Sequence, residues 1–238
     1  MQGLAENTEK LFEGISKLPS LIGFTLIGGS ALSVQVNKRL SEDLDFCKWS
    51  NNLKKDKPTV DWPKIEKELA TVGTIDSRDI LGFDQVNFVV SGVRVSFITK
   101  QDNLSPVKHP VKILNNIIAA DIDALGVMKV EVILRRSEFR DYYDIYSILK
   151  EGRSLKELVA SASNYSNHRL KTKDALNFLS NGKKFRIDST FHLLKPFYKI
   201  DNQGIEDYIK AAIKKEYPLE TPTVNIPFKN KNNKGTSM

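Results

Sequence analysis

Cysteine is nearly missing from this 238-residue chain. Cys47 is the only one, so no intramolecular disulfide can form and no cysteine cluster can hold a metal. A small buried filler is the expected role for a lone thiol of this kind. Long apolar runs are missing too: no stretch approaches the length of a membrane span, and the opening "MQGLAENTEK" lacks the basic start and apolar core of a signal peptide. The expected location is therefore the cytoplasm, away from the membrane. Internal repeats are absent. Acids are missing from the end of the chain, where "TPTVNIPFKNKNNKGTSM" follows Glu220 and reads as a flexible basic tail over 221–238.

What is present is the apolar content of a soluble globular protein, 40% hydrophobic, in a chain long enough for one large domain or two small ones. The net charge of +7 is unevenly placed. Between Tyr165 and Lys199, Arg169, Lys171, Lys173, Lys183, Lys184, Arg186, Lys195 and Lys199 face only Asp174 and Asp188, with aromatic residues interleaved. Such an interval suits the phosphate backbone of RNA, and it equally suits a lysine-rich solvated surface.

Apolar spacing predicts a helix from Thr8 to Lys17, with Leu11, Phe12 and Ile15 on one face. Leu21 to Ile27 reads as a buried strand. "NNLKKDKPTVDW" reads as a polar loop, and "PKIEKELATVG" as a helix with proline at its start and glycine at its end. "FDQVNFVV" and "VRVSFIT" are two strands joined by Ser91-Gly92, which is hairpin chemistry. From Asp121 onward the pattern becomes helical.

Two short segments carry chemistry. Gly28-Gly29-Ser30 follows the first strand and opens a helix containing Ala31, Leu32, Val34 and Val36. Paired glycines let backbone amides come close to an anion, and the helix start adds unpaired N–H groups; the same turn would also serve simply to redirect the chain. Downstream, "SEDLDF" interleaves Asp43 and Asp45 with Leu44 and Phe46. Strand alternation puts the two acids on one face, where they repel unless a cation lies between them, and hard oxygen ligands suit magnesium. An exposed edge strand with solvated acids would give the same letters.

A third cluster lies in "DIDALGVMKVEVILRRSEFRDYYDIYSILK". Ile122, Leu125, Val132 and Ile133 mark an apolar stripe, and Lys129 falls on it. The lysine either snorkels to the surface or points into a cleft that receives an anion. On the next helix Asp141 and Asp144 share a face, with Arg140 adjacent, as they would in an ordinary salt-bridged helix.

Gly29-Ser30, a short helix and then Asp43-x-Asp45 resemble the signature of the nucleotidyltransferase superfamily that includes DNA polymerase beta. The longer string "GGSALSVQVNKRLSEDLDF", followed by Lys129 and Arg140-Asp141-x-x-Asp144, is similar more narrowly to the AbiEii/AbiGii toxin family, to which the mycobacterial MenT toxins are related. The resemblance spans about Gly28 to about Leu149. It implies an α+β fold: a mixed-sheet nucleotidyltransferase core over 1–120, a helical region over 121–220 that completes the cleft, then the tail. It implies transfer of a nucleoside monophosphate from an NTP to an acceptor hydroxyl, such as that of tRNA, with Mg2+ or Mn2+, by the toxin of a toxin–antitoxin or phage-defence system whose partner is an antitoxin protein.

Residue by residue, the resemblance implies that Asp43 and Asp45 hold the metal and that Gly28, Gly29, Ser30, Arg39 and Lys129 bind the nucleotide. Asp141 acts as a base or orients the lysine, with Arg140 and Asp144 in support. The sequence departs from the polymerase-beta pattern at Ser96, where a third carboxylate is expected. A noncatalytic RNA- or nucleotide-binding module, or a transferase acting on a small molecule or protein, would retain the same fold.

Overall fold

The computed structural model describes residues 1–50, 59–101, 105–186 and 188–218. Most of the expected polar loop after Asn51 and the basic tail lie outside the described residues. The first helix, α1 (Glu6–Ser16), buries Leu11, Phe12 and Ile15. A short helical turn at Pro19–Leu21 follows, so the expected strand is shorter at its start: β1 runs over Thr25–Ile27. Proline at 19 fixes φ there and favours the turn. Next come α2 (Gly28–Val36), β2 (Leu44–Ser50), α3 (Trp62–Leu69) and β3 (Ile75–Ile80). Then β4 (Gln85–Val90), β5 (Val93–Gln101), β6 (Val111–Leu114) and β7 (Ile117–Ala119) complete the strands.

The chain is helical beyond that point. It forms α4 (Ile122–Val132), α5 (Phe139–Lys150), α6 (Leu155–Tyr165), α7 (Thr172–Leu179) and α8 (Asn202–Glu216). Among the described residues, no helix is long and apolar enough to cross a membrane.

The seven strands form one mixed sheet in the order β3-β4-β5-β2-β1-β7-β6. β2 is central, antiparallel to β1 and parallel to β5. Ser91 and Gly92 both take positive φ, 46° and 79°, as the expected two-residue hairpin between β4 and β5 requires. This α+β architecture agrees with the sequence expectation.

Alternation along β2 decides what the sheet presents on each face. Leu44 and Phe46 point into an apolar layer with their partners Val95 and Phe97; the Phe46 and Phe97 rings stack at 5.4 Å and Phe24 meets Phe97 edge-on. Asp45 and Cys47 therefore point to the other face. There the helical region lies over the sheet, and Lys100 of β5 donates to the Tyr165 hydroxyl of α6 at 2.9 Å. Cys47 is buried, as expected for a filler, and burial pushes its thiol up to about 12, so it stays protonated and inert.

Candidate active site

Asp45 stands on β2 opposite Ile27 of β1 on one side and Ser96 of β5 on the other. Just ahead of the strand comes Asp43. Both carboxylates line a cleft of about 390 Å3 with Gly29, Arg39, Ser41, Glu42, Arg94, Lys129, Arg136, Glu138, Arg140 and Leu194. Among the described residues, no ion pair involves Asp43 or Asp45, although five cationic side chains line the same cleft. Burial pushes the Asp45 carboxyl above its ordinary range; the Ser96 hydroxyl pulls it down, Asp43 pushes it further up, and Arg94 and Lys129 act against them. The Ser96 hydroxyl is buried beside Asp45 but completes no well-formed hydrogen bond of its own.

The two glycines make this approach possible. Gly28 has φ +72°, and a Cβ there would lie 2.8 Å from Asp45 Oδ2. A Cβ on Gly29 would lie 2.7 Å from Arg39 Nη2 and 3.0 Å from Ser41 Oγ. Among the described residues no side chain caps the start of α2, so its first amides are left for another acceptor. Ser30 is placed differently from the sequence expectation. It is buried, it is not among the residues lining the cleft, and its hydroxyl donates to the backbone carbonyl of Asp43. It fixes the acid-bearing segment from behind.

The cationic wall is a buried ion-pair network. Lys129 of α4 is 6% exposed, so it does not snorkel; its Nζ lies 2.8 Å from Asp141 Oδ1 and 2.7 Å from Asp144 Oδ2. Arg39 forks onto Asp144 with Nε at 2.7 Å and Nη2 at 2.8 Å, and its Nη1 donates to the Leu40 carbonyl at 2.8 Å. Arg136 donates to Asp141 through Nε at 2.8 Å and Nη2 at 3.1 Å. Burial alone would raise both carboxyls, but Lys129 and Arg136 hold Asp141 down at about 2, and Arg39 and Lys129 keep Asp144 low. Arg140 reaches out of the cleft to Asp188 at 2.8 Å. The structure thus brings Asp43, Asp45, Gly29, Arg39, Lys129 and Arg140 to one cleft, backed by Asp141 and Asp144.

Arg94 and Arg136 were not singled out in the sequence. Arg94 lies two residues before Ser96 and so shares its face of β5, a signal alternation alone would supply. Arg136 lies between α4 and α5, where no periodicity marks it.

No group of three or more histidine, cysteine, aspartate or glutamate side chains that could hold a metal is formed among the described residues. Two adjoining carboxylates with no ion pair among the described residues still fit a divalent ion of the magnesium type, which takes one or two carboxylates and fills its remaining positions with water and phosphate oxygens.

A mixed sheet that presents an acid pair beside a helix start, faced by a cationic helical wall, is a nucleotidyltransferase arrangement. The chain belongs to the nucleotidyl transferase AbiEii toxin family of type IV toxin–antitoxin systems, whose family model matches residues 10–211. An uncharacterized protein of Aquifex aeolicus (strain VF5) is 28% identical over 163 residues, which cover 66% of this chain and 73% of that protein. The crystal structure of a candidate nucleotidyltransferase from H. pylori superposes with a TM-score of 0.52 at 19% identity, over 91% of this chain and 99% of that one. The Megavirus polyadenylate synthase gives a TM-score of 0.44 at 15% identity, over 62% of this chain and 32% of that one, too slight a likeness to bear on this protein.

Proposed function

We propose that this nucleotidyltransferase moves a nucleoside monophosphate from an NTP to a hydroxyl of an RNA acceptor, tRNA being the first to test, with Mg2+ or Mn2+ held by Asp43 and Asp45. The observation that carries this reading is the acid pair: two adjoining carboxylates without an ion-pair partner among the described residues, in a cleft otherwise rich in positive charge. A bound divalent ion would neutralise charge on the triphosphate and on the departing pyrophosphate.

The chain's own groups do the rest. Amides at Gly28 and Gly29, left open at the start of α2, would steady phosphate oxygens. Arg39 and Lys129 supply positive potential from the wall, while Ser30 holds the Asp43 segment in place. Asp141 orients Lys129; with Lys129 and Arg136 both bound to it, the carboxylate is a poor proton acceptor and does not serve as the base. An acceptor hydroxyl would pass its proton to one of the two cleft carboxylates. In this reading residues 1–120 provide the acid pair with Arg39 and Arg94, 121–220 close the cleft with Lys129, Arg136 and Arg140, and the toxin is countered by a cognate antitoxin, as in phage defence.

RNA is favoured as acceptor by what borders the cleft. Leu194 lines it, Arg140 pairs with Asp188 at its rim, and Arg186 is tied to Ser137 and Phe139 by backbone hydrogen bonds of 2.6 and 3.1 Å. The stretch from Arg186 to Leu194, part of the basic interval, therefore borders the cleft, and in this proposal RNA contact extends from there. The test is incubation of the protein with each labelled NTP, Mg2+ and total tRNA. Label carried into tRNA supports the reading, whereas label only in protein or small molecules would reassign the acceptor.

A further inference from the structure

The cleft has fewer carboxylates free for metal than its acidic content suggests. Asp141 and Asp144 are fully engaged by Lys129, Arg136 and Arg39, and the side chain beside Asp45 on the neighbouring strand is the neutral Ser96. Of the glutamates that also line the cleft, Glu138 is paired with Arg186 and Glu42 is exposed, so Asp43 and Asp45 are left as the adjoining pair, enough for one divalent cation. One such ion is already balanced by its two carboxylate ligands, so it leaves most of a triphosphate's charge to the protein.

The cations along the cleft are not equal candidates for that charge. Each nitrogen of Arg39 is committed to Asp144 or to the Leu40 carbonyl, Lys129 is enclosed by two carboxylates, and Arg140 is drawn to Asp188. Arg94 is exposed and makes no ion pair among the described residues, so its charge is screened by solvent. Arg136 differs from all of these. Asp141 fixes its Nε and Nη2, while Nη1 has no partner among the described residues and the side chain is 50% exposed along the cleft that holds Asp45. A guanidinium anchored on one edge and open on the other is preorganised for phosphate oxygens.

We propose that Arg136, held by Asp141, binds the nucleotide's triphosphate through its open Nη1 edge, beside a single divalent cation at Asp43 and Asp45. This rests on the nucleotide-transfer reading and adds to it the group that meets the phosphates and the number of ions.

The test is calorimetric titration with Mn2+ alone and with Mn2+–tripolyphosphate, which carries the phosphates without a base. The wild type is expected to bind one Mn2+ per chain. Arg136→Gln should bind Mn2+ alone as before but Mn2+–tripolyphosphate about tenfold or more weakly, since a hydrogen bond between charged groups is lost. Arg136→Lys should fall between. Equal tripolyphosphate binding by wild type and Arg136→Gln, a matching loss of Mn2+ affinity, or two Mn2+ per wild-type chain would each overturn the proposal. Failure of the wild type to bind Mn2+–tripolyphosphate would overturn the nucleotide-transfer reading as well, which tells the two failures apart.

Discussion

The Lys129 ammonium lies 2.8 Å from Asp141 Oδ1, and the carboxylate is fully buried. Burial pushes the Asp141 carboxyl up, but Lys129 and Arg136 outweigh it and bring it from an ordinary 3.8 to about 2. A depressed carboxyl stabilises the fold above its unfolded value, and this contribution is lost as pH falls through the folded one. The contribution should be complete above pH 4 and disappear between about pH 4 and 2, amounting to about 2 kcal/mol. Asp141→Asn should be less stable at neutral pH and show a flatter acid limb when unfolding free energy is followed by urea titration from pH 5 to 2.

Lys129→Met takes the shared cation away from two buried carboxylates. Breaking a buried pair from one side costs about 3–5 kcal/mol, but Arg136 and Arg39 remain on Asp141 and Asp144, so the loss should fall toward or below about 3 kcal/mol. Thermal unfolding should show a clear decrease in melting temperature, and nucleotide use should drop with it. An unchanged melting temperature would mean that Lys129 is not part of the buried network.

Ser30→Ala separates two roles for that residue. The hydroxyl holds the part-buried Asp43 carbonyl, so its removal leaves that acceptor to solvent at a cost of about 1 kcal/mol and lets the acid segment shift. Transfer should weaken and be partly restored by higher Mg2+, with the KM for NTP little altered. A large rise in the KM for NTP that Mg2+ does not relieve would place the hydroxyl on the phosphates instead.

Lys183 and Lys184 sit exposed in a short helical turn, Gly182–Lys184, whose Gly182 is bonded to Asn202 and Glu206. Reversing both to glutamate should weaken RNA binding and flatten its dependence on log salt by about one to two units, with steps that need only NTP left normal. Fluorescence anisotropy across a salt series reads this directly. Identical curves for wild type and the double variant would leave the pair as solvated surface.

The acid-bearing strand and the hairpin were legible because each rests on local chemistry. Alternation alone puts Asp45 on the face opposite Leu44 and Phe46, and Ser91-Gly92 supplies the positive φ values the turn needs. Arg39 and Asp144 were harder, since they meet across 105 residues and no local period joins them. The same holds for Ser30, which looks like a phosphate ligand beside two glycines until the fold brings the Asp43 carbonyl over it. β3, β6 and β7 did not stand out in the sequence. β3 lies at the sheet edge with mostly exposed polar side chains, while β6 and β7 are only four and three residues long. Patterns that short carry little signal.

The measurement that tests the central claim most directly follows two labels through one reaction. NTP labelled at the α-phosphate or at the γ-phosphate is incubated with Mg2+ and total RNA, using wild type and Asp45→Asn. Nucleotidyl transfer from the Asp43 and Asp45 cleft predicts α-label in RNA and γ-label in pyrophosphate for the wild type. Asp45→Asn should remain folded, since burial and Asp43 both disfavour its charge, yet transfer neither label. Transfer of γ-label to RNA, or wild-type rates in Asp45→Asn at saturating Mg2+, would contradict the account.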